Sequence, residues 1–279
     1  MSSRPIVSVD WLQSRLSDGS VCIVDASWHL PPENRDAHAE YLQSHIPGAV
    51  FFDIDAISTP GDLPHMLPAP EVFTESVAKL GLQKNKTVVI YDSKGLFSAA
   101  RVWWTLTRFG FEQVKILDGG LPAWLQAGFN TESGEVSVAQ VSVQATLAEA
   151  SVVNAEQVRQ ASESDSAEIL DARSQGRFDG KDPEPRKGLR GGHIPGSKCL
   201  PFTALLNDGK LKSDNELREI FTALNLSADK PVYTTCGSGV TAAILTLGLH
   251  CIGVHNTALY DGSWTEWGGR EDLPVAKNT

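Results

Sequence analysis

A cysteine followed by two closely spaced glycines and then an apolar run, Cys236-Gly237-Ser238-Gly239-Val240-Thr241-Ala242, is the segment of this chain best equipped for covalent chemistry. The glycines let a tight loop turn its backbone N–H groups inward, and a helix beginning behind the loop adds partial positive charge, so the segment reads as an anion cradle around a sulfur. Such a setting favours the thiolate, which is the nucleophilic form. A buried, inert thiol is the competing reading for any free cysteine; it suits Cys22, in a strand-like run, Cys251, after an apolar helix, and Cys199. The four cysteines lack CxxC spacing, which argues against zinc and against a disulfide scaffold. A phosphatase loop would carry an arginine six residues after the cysteine to grip phosphoryl oxygens bidentately. That position is Ala242, so phosphate-ester hydrolysis is disfavoured. A cysteine protease is disfavoured too, since neither the local sequence nor the repeat described next resembles those families.

The segments around this loop are written twice. Val24-Asp25-Ala26, His45-Ile46-Pro47-Gly48, Val88-Val89-Ile90-Tyr91-Asp92 and Asp118-Gly119-Gly120-Leu121-Pro122-Ala123-Trp124 return as Leu170-Asp171-Ala172, His193-Ile194-Pro195-Gly196, Val232-Tyr233-Thr234-Thr235-Cys236 and Asp261-Gly262-Ser263-Trp264. The offsets are 171 − 25 = 146, 193 − 45 = 148, 236 − 92 = 144 and 261 − 118 = 143, so two copies of one domain are expected. We place them at 1–129 and 143–279, with the polar stretch 130–142 as linker. Short β-branched runs alternate with helical patterns, which predicts an α/β fold: two tandem domains, each a parallel sheet flanked by helices. Strands are expected at 21–25, 88–91, 168–171, 232–235 and 258–260. Helices are expected at 98–109 with a serine cap, from Pro122 to a stop at Gly128, at 215–224 and at 240–249. Ligands of open parallel sheets lie beyond the carboxyl ends of the strands. There the first copy carries Asp92 and the second Cys236, so chemistry is expected in one copy only. His45 and His193, and Asp25 and Asp171, recur in both copies and read as architecture. Trp124, Trp264 and Trp267 read as core.

Composition closes off other classes. The chain has 279 residues and a net charge of −10, so no general field attracts phosphate backbones or anionic lipid, and a nucleic-acid role is disfavoured. No apolar run approaches the roughly 20 residues of a membrane helix, and no signal-peptide core follows the first residues, so a cytoplasmic location is expected. No histidine pair stands at ligand spacing and no dinucleotide or P-loop glycine pattern is present; neither a metal nor an organic cofactor is expected.

Taken together and in order, His45–Asp55 (HIPGAVFFDID), Pro64-His65-Met66-Leu67-Pro68, Gly176-Arg177-Phe178, Glu184-Pro185-Arg186, the second HIPG, the cysteine loop and Tyr260-Asp261-Gly262-Ser263-Trp264 resemble the tandem-domain rhodaneses and, within them, the 3-mercaptopyruvate sulfurtransferases. The resemblance covers nearly the whole chain. It implies sulfur transfer through a Cys236 persulfide, with pyruvate released and the sulfur passed to cyanide, thioredoxin or a small thiol. It further implies Ser238 as proton relay, His65 as its partner and Asp53 as the group orienting His65, which places the site between the two domains. Arg177 and Arg186 match the family's substrate-binding arginines; Arg173 is instead expected as a structural ion-pair partner. The N–H groups of Gly237, Ser238, Gly239, Val240 and Thr241 would hold the outer sulfur. Thiosulfate sulfurtransferases of this family carry basic residues after the cysteine, where this chain has Gly237 and Ser238. Two alternatives stay open from sequence: a thiosulfate sulfurtransferase, and a persulfide-carrying module whose role is to bind a partner.

Overall fold

The structure, a computed structural model, describes residues 4–17 and 19–278. Residues 1–3, 18 and 279, which the two expected domain ranges include, lie outside them. The first half contributes strands β1 (Ile6–Val7), β2 (Val21–Asp25), β3 (Ala49–Phe51), β4 (Thr87–Tyr91) and β5 (Val114–Leu117) with helices α1 (Val9–Gln13), α2 (Ala37–Gln43), α3 (Pro70–Lys79), α4 (Ala99–Arg108) and α5 (Gly120–Gln126). The second contributes β6 (Val152–Val153), β7 (Glu168–Asp171), β8 (Lys198–Cys199), a small antiparallel hairpin of β9 (Leu206–Asn207) and β10 (Lys210–Leu211), β11 (Val232–Thr235) and β12 (Thr257–Tyr260). Its helices are α6 (Ala155–Ser164), α7 (Gln175–Asp179), α8 (Asp214–Ala223), α9 (Ala242–Cys251) and α10 (Ser263–Gly269).

Each half forms a five-stranded sheet in which every pairing is parallel, ordered β1-β5-β4-β2-β3 in the first and β6-β12-β11-β7-β8 in the second. The repeat read from sequence is thus a repeat in space. β4 and β11 are the central strands and are buried almost throughout; β4 is mostly apolar, whereas β11 buries Thr234, whose hydroxyl pairs with that of Thr246. Their carboxyl ends deliver Asp92 and Cys236. Helix α9 has no polar face because it is covered on both sides, by its own sheet and by α4 of the other half; residues 242–249 are all buried. Val102, Trp103 and Leu106 of α4 and Ala243, Leu245 and Leu247 of α9 belong to one continuous apolar cluster that spans both halves.

The short elements depart from the expected ones. Ser98 stands at the start of α4, but its hydroxyl donates to the Ala26 carbonyl (2.7 Å) and caps nothing. Helix α5 begins at Gly120, so Pro122 sits inside the first turn, and α9 begins at Ala242 because residues 236–241 are held as the loop. The stretch 130–142 is no free tether. Glu132 bridges to His45, Gly134 N–H donates to Leu42 and Val141 N–H to Ala78, so the segment lies along the first half.

Candidate active site

Cys236 follows β11 directly and is buried. Its loop is fixed from the start of α10: Cys236 N–H donates to Ser263 Oγ (3.2 Å), its carbonyl accepts from Trp264 N–H (2.9 Å), and the Gly237 carbonyl accepts from the N–H and hydroxyl of Thr265. The amides of Val240, Thr241 and Ala242 donate to no protein acceptor among the described residues. The first half shows what such a set of amides does. There Phe97, Ser98 and Ala99 N–H donate at 2.7, 2.9 and 2.9 Å to one carboxylate oxygen, Asp92 Oδ2, while Lys94 N–H donates to the other. The cradle of the first copy is filled by its own carboxylate. In the second copy the corresponding loop carries Cys236 in place of the aspartate, and Cys236, Val240 and Thr241 line one cavity.

Ser238 is buried, and its hydroxyl lies 3.0 Å from His65 Nδ1, a contact that crosses from one half of the molecule to the other. His65 Nε2 lies 2.9 Å from Asp55 Oδ1, and the second oxygen of Asp55 accepts from Trp28 Nε1 at 3.0 Å. The orienting carboxylate is therefore Asp55 and not Asp53, which corrects the sequence reading. Asp53 Oδ1 accepts the N–H groups of Asp55 and Ala56, both at 3.0 Å, and so caps the turn that presents Asp55. The hydrogen bond from His65 holds the Asp55 carboxyl below its ordinary value, against the opposing effect of burial. With Nε2–H donating to that carboxylate, neutral His65 has Nδ1 free to accept from the Ser238 hydroxyl. When the ring is doubly protonated, Nδ1–H can donate to Ser238 Oγ or to the Ser238 carbonyl 3.2 Å away.

A cavity of about 150 Å³ opens over the thiol. Trp28, Leu30 and Phe97 of the first half form part of its apolar wall, and Arg177, Arg186 and the cysteine loop form its polar part. Larger hollows lie on the surface, one of about 540 Å³ beside Gln83 and Val141, but they hold no nucleophile. Arg177, on α7, donates to Glu184 through Nε and Nη2, and its Nη2 comes so close over Gly237 that a Cβ there would meet it at 3.1 Å. Arg186 is half-buried and has no side-chain partner among the described residues. Burial pulls its guanidinium below the ordinary value while negative charge at Cys236 and Asp55 pulls it back up; it stays a cation. A free guanidinium beside a nucleophile suits a small carboxylate substrate. Arg173 pairs instead with Asp171 and Glu184 and lies over the Trp264 ring, in the structural role expected of it.

The remaining residues separate cleanly. Burial pushes the Cys199 and Cys251 thiols up to about 12, which leaves them poor nucleophiles. His45 Nδ1–H donates to the Tyr41 carbonyl (2.7 Å) and His193 Nδ1–H to the Phe178 carbonyl (2.8 Å), each inside its own domain and away from the thiol. Sequence reasoning missed Arg101 and Asp261. Arg101 Nη1 donates to Asp261 Oδ1 (2.6 Å) and to the Gly239 carbonyl (3.3 Å), and its Nη2 to the His65 carbonyl. The sequence signal for Arg101 was a charged residue in the apolar run of α4, and for Asp261 its place in the repeated Asp-Gly pattern.

The description "Rhodanese-like domain" fits residues 8–127 and again 154–270. The chain is 46% identical over 277 residues to the 3-mercaptopyruvate sulfurtransferase of Escherichia coli K12, with 99% of each covered. It is 42% identical over 274 residues to the human 3-mercaptopyruvate sulfurtransferase, covering 95% of this chain and 92% of that one. Among solved structures it is similar to SseA of Escherichia coli, described with the 3-mercaptopyruvate sulfotransferases, at a TM-score of 0.87 and 42% identity over 94% of this chain and 99% of that one. Two matched domains, the same sheet order in each, and a cysteine cradle in the second leave one conclusion: the chain belongs to the rhodanese family and carries the rhodanese-like domain in tandem.

Proposed function

We infer that this protein takes sulfur from 3-mercaptopyruvate as a Cys236 persulfide, releases pyruvate and hands the sulfur to a thiol acceptor. The observation that carries the reading is the Ser238–His65 contact of 3.0 Å beside the nucleophile. Attack of the Cys236 thiolate on the substrate sulfur forms the S–S bond and breaks the C–S bond, whose electron pair passes into the enolate of pyruvate. The methylene carbon of that enolate then needs a proton. Ser238 is the donor placed for it, His65 replaces the proton on Ser238, and Asp55 stabilises the charge on His65. Thiosulfate cleavage leaves sulfite and has no carbon to protonate, so a serine–histidine–aspartate chain would be idle there. Arg186, with Arg177 beside it, takes the substrate carboxylate. The amides of residues 237–241 receive the outer sulfur, as their counterparts receive Asp92. The names of the relatives in Escherichia coli and human support the same donor.

Thioredoxin or a small thiol is the acceptor we propose, and the cavity over Cys236 is the opening through which its thiolate would reach the outer sulfur. No described helix is long and apolar enough to cross a membrane. A free-thiol set of Cys22, Cys199, Cys236 and Cys251 supports work in a reducing compartment such as the cytoplasm.

Intact mass after brief exposure to 3-mercaptopyruvate, and separately to thiosulfate, followed by peptide mapping, tests the reading. One sulfur atom added at Cys236, predominantly from mercaptopyruvate and absent in Cys236→Ser, is expected. A preference for thiosulfate would replace the donor. No adduct and no pyruvate from either would leave a partner-binding module.

A further inference from the structure

We propose that Arg101 is a positioning residue for the protonation step: one buried guanidinium sets the distance between His65 and Ser238 by holding the backbone on both sides of their contact. Arg101 lies in α4, in the half of the molecule without the thiol, and is 2% exposed. Through Nη2 it grips the carbonyl of His65 itself, and through Nη1 the carbonyl of Gly239, the residue after Ser238. Nη1 also pairs with Asp261, whose other oxygen accepts the N–H of Leu67, two residues beyond His65, at 2.7 Å. The relay's donor and acceptor come from different halves, and each is tied to the same fork.

Two features of the backbone show that this grip is specific. His65 has a φ of 63°, in the left-handed region that a residue with a side chain occupies only where its surroundings impose it. Its carbonyl reaches Arg101 from that conformation. Gly239 has a φ of 77°, and a Cβ at that position would stand 2.8 Å from Arg101 Nη1 and 3.0 Å from the Asp261 carbonyl. The glycine therefore makes room for the guanidinium to sit against the loop. A buried ion pair contributes little net stability over apolar packing, whereas it is well suited to fixing a register. Lysine could keep the charge pair with Asp261 but has no planar fork to reach two carbonyls at once.

The proposal rests on the relay reading above, and the two can fail separately. Arg101→Gln, Arg101→Lys and Ser238→Ala are each measured in both half-reactions: pyruvate formation from 3-mercaptopyruvate, and discharge to cyanide of Cys236 persulfide loaded with inorganic polysulfide. Discharge passes the outer sulfur to cyanide as thiocyanate and returns the thiolate, with no carbon to protonate. In Arg101→Gln we expect pyruvate formation to fall about 10- to 100-fold, the scale of a misplacement near 1 Å. Donor KM and the discharge rate should change less than about threefold, because Ser263, Trp264 and Thr265 still hold the loop. Arg101→Lys should recover the wild-type melting temperature without recovering the rate, and it carries the test alone if Arg101→Gln does not fold. Pyruvate formation unchanged in Arg101→Gln, full recovery in Arg101→Lys, or an equal loss in both half-reactions would overturn the proposal. Ser238→Ala with unchanged pyruvate formation would overturn the relay reading and this proposal together; a slow Ser238→Ala beside a fast Arg101→Gln would overturn this proposal alone.

Discussion

Asp53 and Asp55 stand two residues apart in a run that alternates apolar and acidic side chains, and no periodicity distinguishes them. What separates them is the turn: the first accepts backbone N–H groups and the second meets His65. Asp53→Asn retains an acceptor oxygen at the cap and should leave the rate of pyruvate formation within about twofold. Asp55→Asn should slow it roughly 10-fold or more, since an amide cannot balance the charge on His65. Steady-state pyruvate release on the two variants checks both. Stability gives a second reading of Asp55. Its folded pKa lies below the ordinary value, so its contribution is complete above about pH 4 and is lost as pH falls through the folded value. The side chain is 62% exposed, which keeps the contribution small. Melting curves of wild type and Asp55→Asn should therefore converge as pH falls below about 4. The cysteine was legible from its own loop, and the serine, the histidine and both arginines of the cavity from the motifs that carry the family resemblance. Asp55 and Arg101 were not, because a turn and a contact between halves select them.

Elements were legible in proportion to how completely the core encloses them. β2, β4, β7, β11 and α9 are buried over most of their length and matched their expected positions to within a few residues. The two-residue strands β1, β6 and β8 carry no periodicity and exist only through pairing with distant partners. The same holds for the helix boundary at Ala242, where Val240 and Thr241, both β-branched and weak helix formers, are held in the loop that carries the thiol. Gly239→Ala is the sharpest probe at this scale. It adds a Cβ at a left-handed position against Arg101 and Asp261, so we expect a loss of about 1–2 kcal/mol from conformation alone, with transfer reduced more than stability. Ser213→Ala is its counterpart. It removes the capping box that Ser213 and Glu216 form at the start of α8, at about 1 kcal/mol, and activity should be untouched. Thermal melts paired with transfer assays distinguish the two.

At the scale of the whole molecule, sequence revealed two domains but not how far they share an interior. α4 and α9 pack together in a cluster that runs from one sheet to the other, and the Gly95 and Gly209 backbones come close enough that a Cβ on Gly95 would meet the Gly209 carbonyl at 2.8 Å. Arg4 of the first half donates to the Leu211 and Lys212 carbonyls of the second. We expect one calorimetric transition for both halves. Trp103→Ala, which empties part of the shared cluster, should lower it by about 3–5 kcal/mol without dividing it; two resolved transitions would show that the halves are independent.

The carboxylate of Asp92, settled in the amides of residues 97–99, also bears on how a second thiol could be installed. The copy with Asp92 in place of the cysteine has its loop anchored from within, so giving it an active thiol takes more than one substitution. Asp92→Cys would remove the group those amides bind, in a loop that spans 99 − 92 = 7 positions to its helix where the active one spans 242 − 236 = 6. Its tip at Gly95 is already pressed against the neighbouring hairpin. The first copy is a wall of the other's site: what it lends is His65 and Arg101, each in contact with the loop that carries the thiol.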